Sequence, residues 1–204
     1  MQTELTILTG HSRGMGRAMA QQLLAQGQRV LGISRGRAEG IAPDAGSAGE
    51  LIEWQADLAD GAELVSRLKI WLEAQGAGTW RTVTLINNAA AIPAIVPLSR
   101  TRPYDLALAM RVNLETPMQL CAAFLAATET WPARRRILNI SSGLGRRAMA
   151  SQSAYCAAKA GMDHFTRCLA LDEARLPHGA RVCSLAPGVI DTGMQLQLRS
   201  ALDA

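Results

Sequence analysis

The sequence predicts an α/β protein built on a doubly wound parallel sheet, in three layers with helices on both faces. Two observations predict it. Short runs of β-forming residues alternate with helix-length segments along the whole of the 204-residue chain, and parallel neighbours in a sheet need crossovers of that length. Residues able to do chemistry also gather where the runs end: Gly10, Arg35, Asp57, Asn87, Ser142 and Gly188 each lie at or just beyond the end of a strand-like run. In a parallel sheet all such ends share one edge, the edge where open α/β sheets bind ligands. The length suits a single domain spanning 1–204.

Leu5 to Thr9 is the first strand-like run. The turn Gly10-His11-Ser12-Arg13-Gly14-Met15-Gly16 follows, and then Arg17 to Gln26 with helical apolar spacing. Strand, glycine turn and helix start are the setting of a dinucleotide site. Gly10 permits the tight turn, Gly14 lets backbone approach a pyrophosphate, and Gly16 lets helix and strand pack closely. Unpaired N–H groups at the helix start favour phosphate. Three glycines alone would be a weak signal; their place between strand and helix strengthens it.

Arg29 to Ile33 is the second strand, with Gly27 ending the helix before it. No Asp or Glu stands at Ile33, Ser34 or Arg35, where an acidic residue would take the 2′-hydroxyl of NAD. Arg35, with Arg13 from the glycine turn, suits a 2′-phosphate instead, because guanidinium makes forked, charge-assisted bonds to it. NADP(H) is therefore expected over NAD(H).

Gly36 to Gly49 is rich in Gly, Ala and Pro and reads as a loop with a broken helix. Leu51 to Gln55 is a strand leading to Asp57-Leu58, and Gly61 to Gln75 a helix ended by Gly76-Ala77-Gly78. Thr82 to Ile86 is a strand of β-branched and aliphatic residues that runs into Asn87-Asn88-Ala89-Ala90, where amide side chains can tie down loop backbone. A long helix is expected from Arg102 to Thr128, kinked at Pro117. Asn113 within it is a poor helix former among apolar neighbours, so its amide should have a specific partner. Arg134-Arg135-Arg136 reads as a solvated turn entering the strand Ile137 to Ser141. Gln152 to Ala174 is a helix and Ala180 to Leu185 the sixth strand, ending in Ala186-Pro187-Gly188. Residues 189–204 are short and helix-capable.

Tyr155 and Lys159 are four apart on the expected helix and so share a face. A phenol is a poor acid or base near neutrality, since its ordinary pKa is about 10, and an ammonium one turn away should lower that value. Ser142, just past a strand, would aim a hydroxyl at the same place.

Composition excludes other classes. Hydrophobic residues are 49% of the chain and aromatics 4%, so this is a globular protein with an aliphatic core. A net charge of +4 suits anionic ligands but is too modest and scattered for nucleic acid. No apolar run approaches the ~18 residues that span a membrane, and Met-Gln-Thr-Glu does not open a signal peptide. Cys121, Cys156, Cys168 and Cys183 form no C-x-x-C pair and read as reduced core thiols of a cytoplasmic protein. His11, His164 and His178 are isolated and suggest no metal.

Taken together, Thr9-Gly10-x-x-x-Gly14-x-Gly16, Asp57, Asn87-Asn88-Ala89, Asn113, Ser142, Tyr155-x-x-x-Lys159 and Pro187-Gly188 resemble the short-chain dehydrogenase/reductase family, with its Rossmann fold, over nearly the whole chain. Ile140-Ser141-Ser142-Gly143 and Pro187-Gly188-Val189-Ile190-Asp191-Thr192-Gly193-Met194-Gln195 resemble its sepiapterin and benzil reductase branch, whose members reduce carbonyls and vicinal diketones with NADPH. The resemblance implies that Tyr155 exchanges the proton, Lys159 tunes it and binds the nicotinamide ribose, Ser142 holds the substrate oxygen, and Asn113 positions a water linking Lys159 to solvent. Gly10, Ser12, Arg13, Gly14, Met15, Gly16 and Arg35 would hold the phosphates, and Asp57 and Leu58 the adenine. Asn88 and Ala89 would line the adenosine side, and Pro187, Gly188, Val189 and Thr192 the nicotinamide end. Substrate-side elements are expected at about 143–152 and 189–204.

Two departures stand out. Ala90 replaces the usual glycine of the Asn-Asn-Ala-Gly signature. Family members usually continue by one more helix and a seventh strand, so either the chain is a truncated or shortened form, or its substrate pocket is open or completed by a partner subunit; a homodimer or homotetramer is expected. The implied activity is an NADPH-dependent carbonyl reductase acting on a small-molecule ketone or diketone. A 3-oxoacyl-thioester reductase, or a binding protein that senses NAD(P) without turnover, are the alternatives.

Overall fold

The computed structural model describes residues 4–41, 48–188 and 190. Strands β1 (Glu4–Thr9) and β2 (Arg29–Ser34) are buried from their second residue onward. That is the mark of strands covered on both faces, which is why they read as continuous apolar runs rather than alternating ones. Four more strands join them: β3 (Glu50–Gln55), β4 (Thr82–Asn87), β5 (Arg134–Ile140) and β6 (Arg181–Leu185). All pair in parallel, in the order β3-β2-β1-β4-β5-β6. The chain winds outward from β1 to β3, then returns to the other side of β1 with β4. The order reverses there, and the crevice between the ends of β1 and β4 is the natural ligand site of such a sheet.

Helices fill the two outer layers. On one face, Leu5, Ile7, Leu31 and Ile33 meet Leu64, Leu68 and Leu72 of α2 (Gly61–Glu73) and Leu120 and Phe124 of α4 (Thr116–Thr128). On the other, Leu8, Val30 and Ile86 meet Ala20 and Leu24 of α1 (Gly14–Ala25). Each fully buried aliphatic side chain contributes about 1.5–3 kcal/mol over leaving it exposed. Because successive strand residues point to opposite faces, Leu8 serves the second layer while Ile7 serves the first.

The long helix expected over 102–128 is three pieces. Helix α3 (Pro103–Met110) passes into a π-helical turn, Arg111–Glu115, and then into α4. Pro117 has no N–H to give to the carbonyl four residues back, and the widened turn falls on that deprived carbonyl, at Asn113. The interruption is thus a local change of winding where a kink was expected.

The basic triplet is also not a solvated turn. Arg134, Arg135 and Arg136 open β5, paired with Thr82, Val83 and Thr84 of β4. Arg134 and Arg136 are exposed, while alternation turns Arg135 inward. There its guanidinium donates to the His178 carbonyl at 2.9 Å and lies 3.6 Å from the Glu173 carboxylate at the end of α5 (Ser153–Glu173). Of the cysteines, Cys121 is buried and Cys156 half-buried, but Cys168 and Cys183 are exposed, so only one is a true core thiol.

Residues 36–41 are irregular with a single turn, and the rest of the expected broken helix, 42–47, lies outside the described residues. So does all of the segment 189–204 except Ile190. No described helix is long and apolar enough to cross a membrane, and the described residues hold no metal-ligating cluster.

Candidate active site

The glycine turn is built by contacts that leave no room for a side chain. Gly10 has φ +73°, and a Cβ on it would fall 2.9 Å from the Asn88 amide nitrogen. A Cβ on Gly16 would strike the Gly10 carbonyl oxygen. Helix α1 starts at Gly14, three residues earlier than its apolar spacing suggests. Arg13 at its N-cap gives no side-chain cap, and no acidic residue occupies its first turn. Its leading N–H groups therefore remain available to an anion. Met15 packs into the α1 core, which leaves its backbone to face a ligand; Ser12 is half-buried and Arg13 exposed.

Thr9, which the sequence places in the glycine motif without giving it a role, ties the ends of β1 and β4 together at the base of the crevice. Its hydroxyl accepts from the N–H groups of Asn88 and Ala89, both at 3.0 Å. The Asn88 amide donates in turn to the Thr9 carbonyl at 2.9 Å and the Gly10 carbonyl at 3.3 Å. Asn88 and Ala89 are thereby clamped against the glycine turn. Asn87 points inward, donating to Asn139 at 2.9 Å, and Asn139 donates to Thr166 on α5 at 2.9 Å. Asn139 was findable: it is the lone amide in the apolar run Ile137-Leu138-Asn139-Ile140.

At the next strand end the expected proton-transfer groups meet. Ser142 follows β5, and its hydroxyl accepts from the Leu144 N–H at 3.2 Å. Tyr155 and Lys159 lie on the inner face of α5, 5 % and 2 % exposed. The Ser142 hydroxyl is close enough to the Tyr155 phenol to pull its pKa downward. Lys159 Nζ donates to the Ile140 carbonyl at 2.8 Å and sits 5.8 Å from the centre of the Tyr155 ring. Gly145 lets the turn after Ser142 close on this helix, since a Cβ there would lie 3.0 Å from the Lys159 carbonyl.

The electrostatics differ from expectation. Burial raises the Tyr155 phenol above its ordinary value; the Ser142 hydroxyl pulls down without prevailing, and neighbouring Cys156 adds to the rise. Lys159 does not lower it here, because the ammonium is itself turned to the Ile140 carbonyl. Burial pushes Lys159 down to about 8, against an upward pull from the Asp163 carboxylate.

Asn113 has the partner its setting demanded. Its amide oxygen accepts from the Ala91 N–H at 3.0 Å, and its nitrogen donates to the carbonyls of Ala91 and Ala109, both at 2.8 Å. The π turn is thus pinned to the loop after β4, and it packs on α5 where Leu114 meets Gly161.

Asp57 accepts from the Ala59 N–H at 2.9 Å and caps its own short turn, while remaining exposed. Leu58 is buried, and its carbonyl is taken by the Thr116 hydroxyl at 2.7 Å. Arg35 is exposed at the tip of β2. Pro187 and Gly188, the latter at φ +80°, follow β6; Val189 and Thr192 lie outside the described residues. A cavity of about 330 Å³ opens elsewhere, lined by Thr84, Leu138, Val182 and Arg136 among others and by none of these site residues.

Comparison with known proteins identifies the family. The family model for short chain dehydrogenases matches residues 4–203. A benzil reductase, (S)-benzoin forming, of Bacillus cereus is 33% identical over 194 residues, which cover 95% of this chain and 78% of that protein. A sepiapterin reductase of Xenopus laevis is 32% identical, covering 93% and 74%. The crystal structure of a short-chain dehydrogenase/reductase from Burkholderia vietnamiensis superposes with a TM-score of 0.81 at 38% identity, covering 98% of this chain and 89% of the other. With a matching sheet, a glycine turn at its switch point and a match from end to end, the chain belongs to the short-chain dehydrogenase/reductase family of oxidoreductases, which use a nicotinamide cofactor.

Proposed function

We propose that this protein is an NADPH-dependent carbonyl reductase acting on a small, largely apolar ketone or diketone. The observation that carries the reading is the meeting of Tyr155, Ser142 and Lys159 at the sheet edge that also bears the glycine turn. The residues present fit the cofactor. Gly10 and Gly16 let the turn pack against Asn88 and Ala89 more closely than any Cβ would allow, and the start of α1 offers uncapped N–H groups with no acidic residue against them. Gly10, Ser12, Gly14, Met15 and Gly16 would hold the pyrophosphate, with Arg13 and Arg35 at the 2′-phosphate. Asp57 and Leu58 would meet adenine, and Asn88, Ala89, Pro187, Gly188, Val189 and Thr192 the remainder.

When bound, the nicotinamide cofactor would be the source of the hydride that the carbonyl carbon takes up. The protein's part is to position the carbonyl and deliver the balancing proton. Ser142 holds the substrate oxygen. Tyr155, kept protonated by its burial, gives its hydroxyl proton to that oxygen, so that one hydride and one proton turn C=O into CH–OH. Lys159, which donates to the Ile140 carbonyl beside the site, would bind the nicotinamide ribose, and Asn113 ties the π turn that packs on α5 to the loop after β4. The names of the benzil and sepiapterin reductase relatives support a carbonyl or diketone substrate over an acyl thioester.

The test is NADPH consumption with benzil, simple aryl ketones and an acetoacetyl thioester. Turnover of benzil is expected to exceed that of the thioester. Tyr155→Phe should remove turnover by about a hundredfold or more, within the usual scale of general acid catalysis, while NADPH still binds. Activity retained in that variant would overturn the proton assignment.

A further inference from the structure

His11 belongs to the glycine turn yet faces away from it. Its ring is fully buried and lies over Gly32 in the middle of β2, where a Cβ would come within 2.5 Å of two ring carbons. The imidazole occupies the space of the side chain that Gly32 lacks. Its Nε2 is 2.8 Å from Oε1 of Glu53, the residue of β3 in register with Gly32. The same carboxylate oxygen accepts from the Ala38 N–H at 2.8 Å. A carboxylate oxygen only accepts, so Nε2 is the donor.

One oxygen therefore ties together three segments: the glycine turn, β3, and the loop that leaves β2. Ala38 is the buried anchor of that loop, while Arg35 and Arg37 beside it are exposed. The loop is short, and Ser34 restrains it at its other end by donating to the Gly36 carbonyl. The carboxylate is held charged. Burial draws it upward, but the Ala38 N–H, His11 and Arg37 together keep it below the ordinary carboxylate range.

We infer that Glu53, with His11 as its second donor, is a positioning residue that sets preference for NADPH over NADH by fixing the Arg35–Ala38 loop relative to Arg13. The inference rests on the proposed 2′-phosphate role of Arg35. Glu53 touches no phosphate itself. It fixes where the guanidinium groups stand, and its own carboxylate is held by the Ala38 and His11 donors with Arg37 nearby.

The experiment measures binding of NADPH and NADH, and of 2′,5′-ADP and 5′-AMP as probes of the adenosine end alone, to wild type, Glu53→Ala, Glu53→Gln and Gly32→Ala. Removing the carboxylate leaves a buried N–H and an imidazole donor unpaired, a loss of two hydrogen bonds. NADPH and 2′,5′-ADP should weaken about tenfold in Glu53→Ala, with NADH and 5′-AMP changing less than about twofold. Glu53→Gln, which keeps an acceptor oxygen, should recover most of the loss. Gly32→Ala drives a methyl against the His11 ring without touching Glu53, and should reproduce the selective loss. If the wild type prefers NADPH and the variants weaken both cofactors equally or neither, this inference falls while the cofactor reading stands. If the wild type binds NADPH and NADH alike, both fall. Should Glu53→Ala not fold, the ratio is read in the other two variants.

Discussion

Lys159 carries the clearest residue-scale consequence. Its amine is buried, and its value of about 8 stands well below the ordinary 10.5 because burial penalises the ammonium. Tyr155 moves the opposite way, upward from 10. The proposed reduction would need a protonated phenol and a charged lysine, which assigns the alkaline limit to Lys159 and not to the proton donor. The value of kcat/KM for NADPH, which reports the free enzyme, should fall as pH rises through about 8. Lys159→Arg, which keeps its charge throughout this range, should move that limb to higher pH at reduced activity. A limb at 10 or above in the wild type would assign control to Tyr155 instead. Folding responds with the opposite sign. A lysine whose folded value is depressed disfavours the folded state while it is charged, so its penalty is complete below about 8 and is relieved as pH rises from about 8 towards 10.5.

At the scale of elements, the strands were legible and the joints were not. A strand buried on both faces is a continuous apolar run, so β1, β2 and β4 could be read to within a residue. The π turn depends on Asn113 reaching Ala91, a contact 22 residues away that no local pattern announces. His11 and Glu53 are likewise 42 residues apart, and a histidine in a glycine turn gives no hint that it fills a space over Gly32. The triplet at 134–136 misled because three arginines look solvated, although alternation buries only Arg135 and Glu173 answers it. That pair joins the end of α5 to the start of β5, and the Glu173 carboxylate also accepts from the Ala180 N–H, just before β6, at 2.7 Å. Glu173→Ala would leave a buried guanidinium, whose Nε already lacks a partner among the described residues, and a bare N–H. The expected loss is about 3–5 kcal/mol in urea unfolding, with Glu173→Gln costing less. A loss under about 1 kcal/mol would mean that water reaches the pair.

At the scale of the molecule, the candidate site was readable because fold and site are one arrangement. Parallel winding collects six strand ends on one edge, and Gly10, Arg35, Asp57, Asn87, Ser142 and Gly188 all lie there. A ligand spanning that edge would touch the ends of most strands at once, so its binding free energy is coupled to unfolding of the whole sheet. A ligand that binds only the folded state at 100 times its Kd adds about 2.7 kcal/mol. For a domain of 204 residues that corresponds to a rise in Tm of roughly 5–10 °C. NADPH should give such a rise, and NADH at equal concentration a clearly smaller one, because Arg35 and Arg13 have no 2′-phosphate to meet. Arg35→Ala should erase the difference between the two cofactors while leaving the NADH shift in place. Equal shifts in the wild type, or an equal loss for both cofactors in the variant, would remove the 2′-phosphate from the account while leaving Ser142, Tyr155 and Lys159 where they are.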